Sequence, residues 1–297
     1  MAQRVLRLNN NSKEIMMKQS FYDALKNAKP LQIVGVINAY CAILAEKSGH
    51  RALYLSGAGV ANASYGLPDL GVTTLDNVLE DARRIVAASD LPLLVDIDTG
   101  WNDIGETIKA MQSAGVAGIH MEDQAAHKRC GHRPNKELIS KEEMGERIKQ
   151  AVAAKTDSNF LIMARCDALA SEGLEAVIER SAYYATCGAN AIFAEAMTDL
   201  SHYQQIKAAL NVPLLANITE FGKTDLYSAD ELAGAGVDMA LYPLTAFRAM
   251  SKAALDVYQT LLNEGSQASS IENMQTREEL YEYLDYHKLE QEVDSKK

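Results

Sequence analysis

LLVDIDTGW, residues Leu93 to Trp101, is a short apolar run with a β-branched residue that ends in two carboxylates, Asp96 and Asp98, and a glycine. Such a run reads as a buried strand that delivers acids at its C-terminal end. Similar runs recur at Gln32–Ile37, Ala52–Leu55, Gly118–Met121, Leu161–Ala164, Ala191–Ala194, Leu214–Ala216 and Met239–Leu241. With Leu93–Val95 they make eight strands. Between them lie stretches of helical period: Ala39–Ser48, Leu75–Ala88, Ile104–Ala114, Lys141–Ala154, Leu174–Thr186, Leu200–Leu210 and Ala229–Ala235. Gly49, Gly115, Gly188 and Gly236 stand where helix C-caps want glycine.

Continuous apolar strands alternating with amphipathic helices predict a parallel sheet covered by helices, and eight such units predict a closed (β/α)8 TIM barrel. The alternative is a doubly wound open sheet. Residues bearing chemistry follow strand after strand: Ser56, Asp96 with Asp98, Glu122 with Asp123, Arg165 with Asp167, Glu195, Asn217 and Tyr242. A barrel collects its site from many strand ends, whereas an open sheet uses mainly its switch point. The expected organisation is one domain, 1–297, with an N-terminal arm over 1–29, the barrel over 30–250 and a C-terminal extension over 251–297. Helical patterns at Ala246–Leu262 and Thr276–Lys288 form that extension, which would pack on the barrel or on a neighbouring subunit.

The 297 residues are 47% hydrophobic with a formal net charge of -11, which disfavours nucleic acid and anionic membranes as partners. No window approaches the roughly 18 apolar residues of a spanning helix, and a cytoplasmic protein is expected. Cys41, Cys130, Cys166 and Cys187 are widely spaced without a CxxC pair, so reduced thiols are expected.

Asp96 and Asp98 on one face of an extended segment would jointly hold a hard cation, with Glu122 adding a third oxygen. Mg²⁺ suits so sparse an acidic set. The plainer reading is two surface carboxylates capping the next helix. In HKRCGHRP, Lys128, Arg129, His132 and Arg133 would lower the pKa of the Cys130 thiol and make it an acid or base near neutrality. Its plainer reading is a solvated basic loop. Arg165, Arg248 and Arg277 are candidate carboxylate binders. Cys41 and Cys187 read as core filler, Cys166 as a possible neighbour of the site, and His120 as a satisfied core histidine. Tyr54 reads either as core or as a group at the barrel mouth.

The stretches YLSGAGVA, LLVDIDTG, HMEDQ, KRCGHRPNKELISKEEM, MARCDALA and LLANITEFG resemble the isocitrate lyase and phosphoenolpyruvate mutase superfamily over about residues 30–285. The KRCGH loop points to the lyases of that superfamily, and the short chain with its RPNK continuation to the branch that cleaves 2-methylisocitrate into pyruvate and succinate. The resemblance implies Mg²⁺, with Mn²⁺ as a substitute, held by Asp96 and Asp98 with Glu122 acting through water. It implies substrate contacts from Ser56, Gly57 and Ala58, and a catalytic loop carrying Cys130 and Gly131. Asp69 would be a functional acid. Further substrate positions would be Arg165, Glu195, Asn217 and Ile218, with Thr219, Arg248 and Arg277. A homotetramer with exchanged C-terminal helices is implied as well. Three departures stand out: Ala58 replaces a usual glycine, Cys166 a usual threonine, and the loop after Asp98 is shortened. In the implied retro-Claisen cleavage Tyr54 is the candidate base, with a metal-linked carboxylate as the alternative, and Cys130 the acid. Residues Lys128–Pro134 would close as a lid over the substrate, the alternative being a rigid loop pinned by a neighbouring subunit. The rival functions are an isocitrate lyase or an oxaloacetate decarboxylase on the same scaffold, and an inactive binding paralogue.

Overall fold

The computed structural model describes residues 19–125 and 137–295. Eight strands, β1 Leu31–Gly35, β2 Ala52–Leu55, β3 Leu93–Asp96, β4 Gly118–Glu122, β5 Leu161–Cys166, β6 Ala191–Ala194, β7 Leu214–Asn217 and β8 Met239–Tyr242, pair in chain order into a closed barrel. Every pairing is parallel, and β8 returns to β1 with Met239 opposite Leu31 and Tyr242 opposite Val34. The barrel, not the open sheet, is therefore what the alternation encodes.

Several strands run one or two residues beyond the apolar stretches that announce them, into Asp96, Glu122, Arg165 and Asn217. Ladder pairs Asp96 with His120 and Glu122 with Arg165 carry these extensions. A polar side chain that points toward the mouth of a barrel does not stop its backbone from pairing. Strand β1 is displaced the other way, beginning at Leu31 and ending at Gly35.

Helices Leu75–Ala88 and Lys141–Ala154 have the bounds their periodicity predicts. The first starts in a capping box, with Thr74 accepting from the Asn77 amide and Asn77 answering the Thr74 amide. Helix Leu169–Thr186 begins earlier than its pattern, across a kink at Gly173. The four C-cap glycines all adopt positive φ, from 79° at Gly115 to 106° at Gly188. Beyond β8 the chain forms helix Thr245–Glu264. The expected helix Thr276–Lys288 is instead two helices, Arg277–Tyr283 and Tyr286–Asp294, because Asp285 turns left-handed at φ 49°. A short polar side chain tolerates that conformation where most residues resist it.

Strand alternation divides the core. Leu53, Leu55, Val95, Ile119 and Ile162 face the helices, while Leu31, Ile33, Tyr54, Leu94, Met163 and Phe193 fill the barrel. Helix Phe21–Asn27, N-capped by Ser20, drives Phe21 and Ala24 into the inner cluster; both are fully buried. Burying such an aromatic is worth about 1.5–3 kcal/mol. The packed interior leaves the C-terminal strand ends as the face that can hold a ligand. Among the described residues no helix is long and apolar enough to cross a membrane.

Candidate active site

The alternation that packs the barrel places polar side chains on its next rung. Two residues beyond Tyr54 comes Ser56, beyond Leu94 Asp96, beyond Met163 Arg165, beyond Phe193 Glu195 and beyond Leu215 Asn217. All five polar residues are buried.

Strand β3 ends at Asp96. Asp98 is not on an extended continuation of it, as the sequence suggested: its backbone is left-handed at φ 51°, and its amide donates to Asp96 Oδ1 at 3.0 Å. The fold-back nevertheless keeps the two carboxylates together. Both flank Gly57, where an added Cβ would lie 3.1 Å from Asp98 Oδ1 and 3.2 Å from Asp96 Oδ2. The Gly57 amide donates to Asp96 Oδ2 at 3.2 Å. Glu122 is fully buried nearby, its amide bonded to the Asp98 carbonyl at 2.9 Å. Among the described residues no three His, Cys, Asp or Glu side chains group tightly enough to hold a metal by themselves. Asp96 and Asp98 would thus offer two hard oxygens and leave other positions to water and substrate, a donor set that fits Mg²⁺.

Arg165 stands among acids. Its Nε and Nη2 fork onto Asp167 at 2.8 and 3.1 Å, and Glu122 and Glu195 each lie 3.5 Å away. Its guanidinium also covers the Phe193 ring at 5.1 Å. Burial pulls its pKa down, but Asp167, Glu195 and Glu122 outweigh that and hold it firmly charged. Counting Asp96 and Asp98, carboxylates outnumber this one guanidinium, so the mouth favours additional positive charge.

The Tyr54 hydroxyl is 2.9 Å from His120 Nε2, which is 3.8 Å from Asp96 Oδ1. His120 is a buried core histidine, as its apolar surroundings suggested, yet it also joins Tyr54 to the acidic pair. Its position two residues before Glu122 on the inward face was the available signal. Asn217 Nδ2 donates to Glu195 Oε2 at 3.2 Å. Arg248 Nη1 reaches the Glu220 carbonyl at 2.7 Å, Glu220 Oε2 at 2.8 Å and Thr219 Oγ1 at 3.3 Å. The Ile218 side chain packs outward, so only its backbone faces the mouth. Ser56 leads into a helical turn, Gly57–Gly59, and a π-helical turn, Val60–Ser64. Ala58 in that turn has no positive φ, so its Cβ meets no backbone strain.

Other candidates lie elsewhere. Asp123 faces the helix layer, accepting from the Tyr184 hydroxyl at 2.7 Å and the Asp167 amide at 2.9 Å, with Arg180 3.5 Å away. Cys166 also faces outward, in the sheet–helix core, and burial pushes its thiol pKa well up. It is core, not a neighbour of the mouth. Asp69 is half-buried in the loop before helix Leu75–Ala88. Arg277 is exposed at the start of its helix, and no hydrogen bond or ion pair ties it to the strand ends among the described residues. Cys130, Gly131 and the rest of Lys128–Pro134 lie outside the described residues.

Compared with known proteins, the chain matches the phosphoenolpyruvate phosphomutase family over residues 21–262. It is 60% identical over 277 residues to a 2-methylisocitrate lyase of Shewanella oneidensis, covering 92% of this chain and 95% of that one. The chain belongs to the 2-methylisocitrate lyase family. Solved structures place this family member within a wider group. An oxaloacetate acetylhydrolase in complex with 3,3-difluorooxalacetate superposes with a TM-score of 0.84 at 30% identity, over 92% of this chain and 94% of that one. A phosphonopyruvate hydrolase in complex with oxalate and Mg²⁺ does so with a TM-score of 0.78 at 25% identity, over 90% and 94%.

Proposed function

We propose that the chain cleaves 2-methylisocitrate into pyruvate and succinate, the carbon–carbon lyase step of the methylcitrate cycle in propionate catabolism, in the cytoplasm. The observation that carries this reading is the convergence of Asp96 and Asp98 on the bare backbone of Gly57 at the barrel mouth. Asp96 and Asp98 would hold Mg²⁺, or Mn²⁺ in its place, with Glu122 acting through water. When bound, the cation supplies Lewis-acid stabilisation of negative charge on substrate oxygens.

The chain's own groups do the rest. Ser56, Gly57 and Ala58 present a turn to the substrate, and Glu195, Asn217, Thr219 and the Ile218 backbone line its far side. Arg165 and Arg248 supply positive charge toward its carboxylates, with Arg277 and Asp69 assigned by resemblance. Tyr54 accepts the hydroxyl proton as it passes its own to His120 Nε2, 2.9 Å away. The bond then breaks toward a carbanion beside a carboxylate, and the Cys130 thiol of the Cys130–Gly131 loop donates the proton that makes succinate. Lys128, Arg129 and Arg133 carry charge of the sign that the acid excess of the mouth calls for. Selectivity for one methyl group is worth only about 1–3 kcal/mol, so isocitrate competes as a slower substrate.

Helix Thr245–Glu264 runs twenty residues without one buried side chain and exposes Leu255, Tyr258 and Leu262. This supports a homotetramer in which the C-terminal helices pack on, and exchange with, a second copy. Light scattering on the purified chain measures it.

The deciding experiment offers 2-methylisocitrate, isocitrate and oxaloacetate with and without chelator. Fastest turnover of 2-methylisocitrate, abolished by EDTA and restored by Mg²⁺, is expected. Preference for isocitrate or oxaloacetate would reassign the substrate. Calorimetric binding of Mg²⁺ and pyruvate without any turnover would make the chain a binding paralogue.

A further inference from the structure

The turn after Asp96 is compressed into an unusual shape. Asp98, Gly100 and Trp101 have φ of 51°, 97° and 53°. Left-handed backbone at a residue as bulky as tryptophan is an outlier that persists only where the surroundings impose it. Those surroundings are visible. The Gly100 amide donates to the Ile97 carbonyl at 2.8 Å, and buried Thr107 donates from Oγ1 to the Gly100 carbonyl at 3.1 Å. A Cβ at Gly100 would lie 2.7 Å from Ile104 Cγ1, so the turn sits hard against the helix that follows it. Trp101 packs on the outer core, and its Nε1 donates to the Thr73 carbonyl at 2.9 Å. That bond crosses from the β3 loop to the β2 loop, the one that carries Asp69 and ends at the Thr74 cap.

We propose that Trp101 is a positioning residue for the metal pair: its indole N–H, fixed on Thr73, holds the left-handed turn that folds Asp98 back beside Asp96. The inference rests on the reading of Asp96 and Asp98 as metal carboxylates. Without the strut the left-handed turn loses its tie to the β2 loop, leaving Asp98 to the bonds of its amide with Asp96 and its carbonyl with Glu122, and the two oxygens are paired less firmly when a cation binds. Trp101 touches neither substrate nor metal; it acts through Asp98.

Trp101 is also the only tryptophan in the chain, so its fluorescence reports on this turn alone. Mg²⁺ titrated into the full-length protein should change the emission of Trp101 and protect it from acrylamide quenching. By calorimetry, Trp101→Phe, which keeps a ring but loses the donor, should bind Mg²⁺ about fivefold more weakly, the scale of one lost hydrogen bond. Its turnover should need correspondingly more Mg²⁺, while kcat at saturating Mg²⁺ stays near wild type. Mg²⁺ affinity of Trp101→Phe within twofold of wild type would overturn the proposal. Should that variant not fold, wild-type emission that is unchanged at calorimetrically saturating Mg²⁺ overturns it instead. Asp98→Asn separates the two readings: if it too binds Mg²⁺ like wild type, the assignment of the metal pair has failed.

Discussion

Arg165 and Asp167, two residues apart at the end of β5, meet in a two-point fork of 2.8 and 3.1 Å inside the barrel mouth. Glu122 and Glu195 share the same guanidinium. Arg165→Leu would strand these buried acids and should destabilise the fold by about 3–5 kcal/mol. Arg165→Lys keeps the charge but not the fork, and should recover only part of that loss. Denaturant midpoints of both variants check this; a Leu variant as stable as wild type would refute it.

Gly57 lies where a methyl group would press on both Asp96 and Asp98. Gly57→Ala should therefore weaken Mg²⁺ at least about tenfold, as disturbed support of metal ligands commonly does, with an unchanged circular dichroism spectrum. Asp96→Ala and Asp98→Ala should abolish turnover and still fold, since both stand above the packed rungs. Full activity after exhaustive EDTA dialysis would contradict the assignment of these acids.

The cysteines should separate by position. Cys130→Ser should lower kcat at least ~10²-fold while substrate still binds, because a hydroxyl is a far weaker acid than a thiol. Cys166, buried against the helix layer, should show the opposite pattern: Cys166→Ser costs about 1–3 kcal/mol of stability for an added buried hydroxyl, and kcat is retained. Steady-state kinetics and thermal melts on the two variants read both numbers.

Asp123 gives a pH signature. Burial first, and then the neighbouring Asp167, push its pKa up from the ordinary 3.8. An acid raised in the folded state holds its proton longer there than in the unfolded chain. Stability is therefore lost as pH rises from 3.8 through the folded value. Asp123→Asn lacks that titration, so the stability of wild type relative to the variant should fall across this window and then level off. Urea midpoints at a series of pH values test it; a constant difference would show that Asp123 does not titrate anomalously.

Most of the barrel was legible because eight apolar runs needed only to be counted, and because inward and outward positions of a buried strand are both apolar until its last rung. The last rung was legible for the same reason: a charge ending an apolar strand, as at Asp96 or Arg165, has few structural explanations. Conformation at single residues was not. That Asp98 folds back, with its amide on Asp96 Oδ1, and that Asp285 splits a helix each come down to one left-handed torsion. Neither alters the hydrophobic pattern. Asp123 and Cys166 looked like site residues by adjacency to Glu122 and Arg165, yet strand alternation turns each of them to the opposite face. His120 and Trp101 were under-read because their roles come from partners distant in sequence, Tyr54 and Thr73.

Phe21 and the rungs packed above it fill the barrel from its floor, so the enzyme has one doorway, at the strand ends. Reactant and both fragments should therefore pass the same rim, and a fragment held beside Asp96 and Asp98 is expected to leave after one nearer the opening. Run backwards, the synthesis would have to load its two halves in reverse sequence. An excess of the outer fragment would then trap the inner one, a pattern of product inhibition that random release would not display.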